Sequence, residues 1–356
     1  MVQTQLSSTE EQIDPVKAAK AARLRYVIDD EAGILRQKQG KHFRYVNAVG
    51  ETIHDADDIE RIEKLRIPPA WTDVWISPYP NGHIQATGRD AKGRKQYRYH
   101  ERWTQRRNLV KFSRMIAFGK ALPGLRKHLQ QDLKRSGLPR EKVLATLIEL
   151  LDTTHIRIGN VEYAKSNQSY GLTTLRDKHV EVQGSTLRFH FRGKSGKEHE
   201  VDIQDKRLAR IVRMCKDVPG QELFQYVDED GARHPITSGD VNDYLRAITG
   251  EDYTAKDFRT WSGTLLAIMA FRECAPCESF NQAKKQVTAT IKEVAEALGN
   301  TPAVCRKYYV HPLVIDAYQD GTLTDVLRHL KWLRHDNGLH PEERLVIEVL
   351  RQLENT

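Results

Sequence analysis

The 356 residues, 39% hydrophobic and 29% charged, make a folding chain too long for one ordinary core and suited to two domains. No apolar run approaches the roughly 20 residues of a membrane helix, the first residues (MVQTQLSSTEEQ) lack the basic start and apolar stretch of a signal peptide, and four cysteines make no disulfide framework, so a soluble protein of a reducing interior is expected. The net charge of +8 is concentrated: from Arg89 to Arg114 there are ten basic residues against two acids, and the rest of the chain has 46 of each, the pattern of a basic surface that faces a polyanion.

In chain order, a polar, Ala/Lys-rich opening predicts an extension with a short helix. From Gly40 the pattern changes. Phe43, Tyr45 and Val46, then Val74 to Ile76, His83 to Gly88 and Lys95 to Tyr99 predict short strands, with turns at Pro68-Pro69, Pro78, Pro80-Asn81-Gly82 and Asp90-Ala91-Lys92-Gly93. Between Arg102 and Gly137, Leu109, Phe112, Met115, Ile116, Leu122, Leu125, Leu129 and Leu133 recur at helical steps. Leu144, Leu147, Ile148 and Leu151 predict a buried helix over 141–155 that delivers His155-Ile156-Arg157-Ile158-Gly159 at its end. Three strands follow at 178–182, 186–192 and 197–203, then helices at 205–217, 238–249, 254–273, 279–298, 302–318, 322–334 and 341–354. The expected class is α+β: a small β-rich amino-terminal domain and a larger, mainly α domain holding a three-stranded antiparallel sheet.

Several chemistries are excluded by what their motifs lack. Cys274-Ala-Pro-Cys277 has a ligand-like spacing but no second Cys/His pair at finger spacing, so no metal site is expected. Gly193-Lys194-Ser195 ends like a phosphate loop, yet the motif's first glycine would fall on Arg188, within a hairpin instead of a strand-to-helix turn. No serine elbow and no His-Glu-x-x-His sequence occurs. What remains is a dispersed set: Arg157 after a helix, Lys194 on a hairpin tip, Arg259 in Lys256-Asp-Phe-Arg259, and Tyr309 nine residues beyond Asn300.

Taken in order, these residues resemble the type IB DNA topoisomerases, in the compact poxvirus-like form found in bacteria. The resemblance runs from about Leu35 to about Leu330. It includes Leu65-Arg-Ile-Pro-Pro-Ala-Trp-Thr-Asp-Val-Trp-Ile76, His83 to Tyr99, Arg157-Ile-Gly-Asn160 with Tyr163, Gly171-Leu-Thr-Thr-Leu175, Phe191-Arg-Gly-Lys194, Lys256-Asp-Phe-Arg259 and Leu298-Gly-Asn-Thr-Pro302 up to Tyr309. It implies an extension over 1–34, a β-rich DNA-binding domain over 35–104, a catalytic domain over 105–330 and a helical tail over 331–356, with the two domains forming a C-shaped clamp on duplex DNA. Tyr309 would be the nucleophile, because a phosphotyrosine ester retains the phosphodiester energy and needs no ATP. Arg157 and Arg259 would hold the non-bridging oxygens, and Lys194, with Lys197 as fallback, would give the leaving 5′-oxygen its proton.

The resemblance implies histidine, in poxviral and nuclear relatives, where this chain has Asn300, so that position can donate a hydrogen bond without exchanging a proton. Tyr308, a rival nucleophile, points about 100° away on a helix. DNA contacts are expected at Arg94, Lys95, Gln96, Tyr97, Arg98 and Tyr99, and by resemblance at Tyr163 and Thr174, with Lys256 supporting Lys194. The implied enzyme relaxes supercoils of both signs with no cofactor, metal or nucleotide, as a monomer on double-stranded DNA in the cytoplasm at the nucleoid, with no membrane association. A tyrosine recombinase is the alternative. It is disfavoured by Lys256 where recombinases carry histidine and by the β-rich amino-terminal domain. A non-catalytic DNA-binding clamp is disfavoured by the complete residue set.

Overall fold

The computed structural model describes residues 15–40, 42–91, 93–330 and 338–355. They fall into two compact units, Met1–Phe112 and Ser113–Thr356. Residues 1–14 of the expected extension, Lys92 of the basic window and residues 331–337 lie outside the described residues, as does the side chain of Leu109.

The first unit opens with helix α1 (Pro15–Ala21) and is built on a five-stranded sheet: β1 (Ile34–Gln39), β2 (His42–Val46), β3 (Thr72–Ile76), β4 (Ile84–Arg89) and β5 (Lys95–Tyr99), in the order β2-β1-β3-β4-β5. Each recorded pairing is antiparallel. Helix α2 (Ala56–Lys64), capped by the Asp55 side chain, places Ile62 against Ile34, Val74, Ile76 and Ala86. Strand β1 and helix α2 were not expected from sequence: Leu35-Arg-Gln-Lys-Gln39 is too polar for a strand signal, because β1 buries only one end. Helix α3 (Glu101–Ser113) follows β5.

In the second unit α4 (Met115–Asp132) begins after a break at Arg114, and α5 (Arg140–Thr154) runs through the core with Val143 to Ile148 all buried, as an all-round apolar helix must. After α6 (Val161–Asn167) comes the three-stranded antiparallel sheet β6 (Val180–Gln183), β7 (Thr186–Arg192) and β8 (Glu198–Gln204). Then follow α7 (Lys206–Lys216), the small hairpin β9 (Gln225–Val227) and β10 (Arg233–Pro235), α8 (Ser238–Thr249), α9 (Ala255–Glu273) and α10 (Phe280–Ala297). Neither α6 nor the β9–β10 hairpin was expected.

The helix read over 302–318 is two helices, α11 (Pro302–Tyr308) and α12 (Pro312–Gln319), because Pro312 cannot continue the ladder. Helix α13 (Thr322–His329) ends at the Leu330 cap, residues 331–334 of the expected helix lie outside the described residues, and α14 (Pro341–Glu354) follows. No described helix is long and apolar enough to cross a membrane.

Candidate active site

Every catalytic candidate except Arg259 sits where an element ends or turns. Helix α5 stops at His155, which adopts a left-handed backbone (φ 56°), and the next residues run beside Gly171 to Thr173: Leu172 N–H donates to Arg157 O (2.9 Å) and Thr173 N–H to Ile158 O (2.7 Å). The two strands of this turn lie so close that a Cβ on Gly171 would stand 2.5 Å from Arg157 O. The Leu298-Gly-Asn-Thr-Pro302 stretch is a helix stop followed by a helix start. Gly299 takes a positive φ of 60° after α10, Thr301 caps α11 through Val304 N–H, and Pro302 occupies the first turn. Asn300 is the residue left between the two helices.

Arg259 lies on α9, which Phe258 and Trp261 anchor to Phe118 of α4 in edge-to-face contacts, and Gly119 lets the Trp261 ring approach the α4 backbone. Tyr309 is the residue at which α11 ends. Its backbone rests on α9 at Gly263, where a Cβ would lie 2.6 Å from Tyr309 O, and Thr264 ties the segment on both sides. Thr264 Oγ1 donates to Tyr309 O (3.3 Å) and accepts from His311 N–H (3.0 Å).

Four of the expected side chains converge. Arg157 donates to Gly299 O (3.2 Å) and to Asn300 Oδ1. Arg259, only 4% exposed, donates to His155 O and to Leu298 O (2.6 Å), hydrogen-bonds Tyr309, and holds its guanidinium carbon 5.1 Å from the Tyr309 ring centroid. Because Asn300 spends its oxygen on Arg157, its amide nitrogen is the free end: Asn300 Nδ2 and Arg259 Nε are buried donors with no partner among the described residues.

Burial, and then the neighbouring Arg259, push the Arg157 guanidinium down to about 10, and burial lowers Arg259 as well. No ion pair to a carboxylate is recorded for either among the described residues. The buried Arg259, the half-buried Arg157 and two unpaired buried donors form a site that gains by admitting an anionic oxygen, since each unmet buried donor costs about 1–3 kcal/mol. No group of three or more His, Cys, Asp or Glu able to hold a metal ion occurs among the described residues.

The lysines are placed differently. Lys194 stands exposed on a 3₁₀ turn (Lys194–Gly196) between β7 and β8, with its ammonium 5.8 Å from the Tyr163 ring centroid. Lys197 Nζ is bound to Asn300 O (2.5 Å). Lys256 lies 6.0 Å from the Tyr308 ring centroid, so the recorded neighbour is that tyrosine and not Lys194. Thr174, expected at DNA, is 5% exposed, and its hydroxyl bonds Gly171 N and O; the structure uses it to shape the Arg157 turn.

On β5, Tyr97 and Tyr99 are 42% and 39% exposed and stack with centroids 5.7 Å apart, so they are a presented face and not a core face. The strand is the edge of the sheet. Its cations and the preceding Arg94 are already engaged: Lys95 with Asp29 (2.7 Å), Arg94 with Asp90 (2.5 Å), and Arg98 with Arg66 O (3.0 Å), while Gln96 donates to Asp90 (3.0 Å). Sequence reading missed Gly263, Thr264 and His199. A glycine inside a helical period signals only weakness of the helix, and a histidine on an alternating strand gives no sign of which turn it meets.

Residues 100–336 match the family model for the eukaryotic DNA topoisomerase I catalytic core, and residues 42–90 match that for the bacterial DNA topoisomerase IB N-terminal domain. The chain is 35% identical over 323 residues to DNA topoisomerase 1B of Acanthamoeba polyphaga mimivirus, covering 85% of this chain and 96% of that protein. It is 25% identical over 301 residues to DNA topoisomerase 1B of vaccinia virus (strain Copenhagen), covering 82% and 91%, and 25% identical over 289 residues to DNA topoisomerase 1 of rabbit fibroma virus, covering 77% and 86%. With a catalytic-core match over most of its length and a relative 35% identical across 85% of this chain, the chain belongs to the DNA topoisomerase IB family.

Proposed function

We propose that this protein relaxes positive and negative supercoils by nicking one strand of duplex DNA, letting the free end rotate, and resealing it. The observation that carries the reading is the convergence of Arg157, Arg259 and Asn300 on Tyr309 with buried donors left over for an anion. In the proposed step Tyr309 Oη loses its proton to solvent and bonds to phosphorus. The bond from phosphorus to the 5′-oxygen breaks, and that oxygen takes a proton from Lys194 Nζ. Resealing is the reverse, so the ester energy is conserved and no nucleotide is consumed.

Arg157, Arg259 and Asn300 Nδ2 carry the charge that builds on the non-bridging oxygens, work suited to fixed planar donors in a partly dry site. Lys194 is exposed on a two-ended turn, which suits a donor that must reach the leaving oxygen of a bound duplex; Lys197, held by Asn300 O, is better placed to brace that turn. Within the same reading, residues 35–104 grip DNA through the Tyr97/Tyr99 face, with Arg94, Lys95, Gln96 and Arg98 exchanging their present partners for phosphates, and residues 105–330 carry the chemistry, with Tyr163 and Lys256 near the bound strand. Closure of the two as a clamp, action as a monomer and residence at the nucleoid belong to the proposal too.

The test is relaxation of supercoiled plasmid of both signs in EDTA without ATP. Full relaxation by the wild type is expected, together with loss of covalent DNA attachment in Tyr309→Phe and its retention in Tyr308→Phe. A requirement for magnesium or nucleotide, or recovery of Tyr308 on the 3′-phosphate, overturns the reading. Exchange of strands between duplexes would favour the recombinase.

A further inference from the structure

The Lys194 turn is closed at its base by Gly193 N–H donating to Lys197 O (2.7 Å), which leaves open what seats it against the anion-binding side chains. The structure supplies a ring at that place. His199, the second residue of β8, lies parallel to Phe191 of β7 with centroids 5.1 Å apart and 4° between planes. Its imidazole fills the space over two glycines at once: a Cβ added to Gly193 or to Gly299 would overlap it. Gly193 is the residue before Lys194. Gly299 is the residue before Asn300, and its carbonyl accepts from Arg157. One flat side chain therefore touches the root of the proton donor and the root of the transition-state donor. The same two segments are bridged a second time by Lys197 Nζ on Asn300 O. Burial, then Arg157, Arg259 and Lys197, push the imidazole down to about 4, so near neutrality it packs uncharged among three cations. Neither the mechanism above nor the DNA contacts give His199 a task.

We propose that His199 is a positioning residue for the proton donor: its ring registers the Lys194 turn on the Asn300 turn, so that the ammonium and the oxyanion donors meet the same phosphate in one geometry. The proposal rests on the reading of Lys194 as the donor to the 5′-oxygen. His199 itself meets no reacting atom in this scheme. Its loss is a leaving-group defect caused by misplacement, and displacement of a catalytic group by about 1 Å can cost on the order of 10²-fold.

The experiment is single-turnover cleavage by the full-length protein at saturating enzyme, on duplexes carrying either the normal phosphodiester or a 5′-bridging sulfur that leaves without protonation. Two single variants approach the contact from opposite sides: His199→Ala removes the ring, and Gly193→Ala pushes a methyl into it at a backbone conformation alanine tolerates (φ −94°). Each is expected to slow the normal substrate by on the order of 10²-fold with DNA affinity unchanged, and the sulfur substrate is expected to restore most of the loss, as for Lys194→Ala. In the double variant the methyl occupies space the imidazole has left, so it should cleave no more slowly than the slower single.

The proposal is overturned by a His199→Ala or Gly193→Ala enzyme that cleaves the phosphodiester within about twofold of wild type, by a loss that sulfur does not repair, or by single effects that multiply in the double variant. Should His199→Ala fail to fold, the Gly193→Ala arm decides alone. A wild type that forms no covalent complex, or a Lys194→Ala enzyme that sulfur does not repair, sinks the parent reading and is distinguishable from failure of the His199 assignment by itself.

Discussion

At the scale of single residues the site is organised by the direction of one amide. Arg157 holds Asn300 Oδ1, which leaves Nδ2 a buried donor with no partner among the described residues, the donor proposed for the phosphate. Loss of one donor to a transition-state oxygen typically costs about 10² to 10³ in rate, so Asn300→Ala is expected to slow single-turnover cleavage by that order with DNA affinity and its salt dependence unchanged. Asn300→His, which keeps a donor, should retain activity. The pH dependence of stability belongs to this scale as well. The His199 pKa is depressed from an ordinary value of about 6.5 to about 4 in the fold, chiefly by burial. The unfolded chain therefore binds more protons between these limits; the stability that neutral His199 contributes is complete above the unfolded value and is lost as pH falls toward the folded one. His83, His100, His155 and His179 are lowered in the same sense, so the informative quantity is a difference. Urea midpoints measured from pH 7 to 4 should fall less steeply for His199→Gln than for the wild type.

At the scale of elements, α9 does two jobs with neighbouring turns. Phe258 and Trp261 fix it to α4, which sets Arg259, and one turn later Gly263 and Thr264 receive the backbone of Tyr309. Tyr309 is thus located by a helix that is distant in sequence, and its segment lies against α9 at the break between α11 and α12. Gly263→Ala would gain helix propensity worth about 1 kcal/mol, yet its methyl would press on Tyr309 O and Cβ. The expected outcome is covalent complex formation slowed by about tenfold or more with little change in thermal stability, checked by trapping the adduct and by calorimetry. Normal cleavage in this variant would mean that the α9 contact does not set the tyrosine.

For the whole molecule, the helix beyond the catalytic-core match is part of the packing. α14 buries Leu345, Val346, Ile347, Val349, Leu350 and Leu353, and its Glu343 takes both Arg126 Nη atoms (2.8 and 2.7 Å) while Arg126 Nε reaches Asp152 (2.9 Å) near the end of α5. Burial alone would raise the Glu343 carboxyl, but its bonds to Arg126 hold it below the usual range. Glu343→Ala leaves the part-buried Arg126 guanidinium with Asp152 alone, so it is expected to destabilise by about 1–3 kcal/mol, measured by urea unfolding. Asp152 lies three residues before His155, whose carbonyl holds Arg259, so cleavage should weaken along with stability.

Much of the candidate site was legible in the sequence: Arg157, Arg259, Asn300 and Tyr309, which the fold brings together, stand in a recognisable order along the chain, because the chemistry proposed for them restricts residue type. The strands of the first unit from β2 onward, the three-stranded sheet and the buried α5 were also legible, since apolar periodicity reports burial directly. Strand β1 and helix α2 were not, because each buries only a narrow stripe of an otherwise polar segment. Tertiary structure alone decided that Asn300 presents its nitrogen, that Thr174 faces inward, that Lys95 and Arg94 already have acidic partners, and that His199 sits between two glycines 106 positions apart. The physical reason is common to all four. Residue type and local period are properties of neighbours along the chain, whereas hydrogen-bond direction, charge pairing and ring packing are properties of neighbours in space, which only the folded chain brings together.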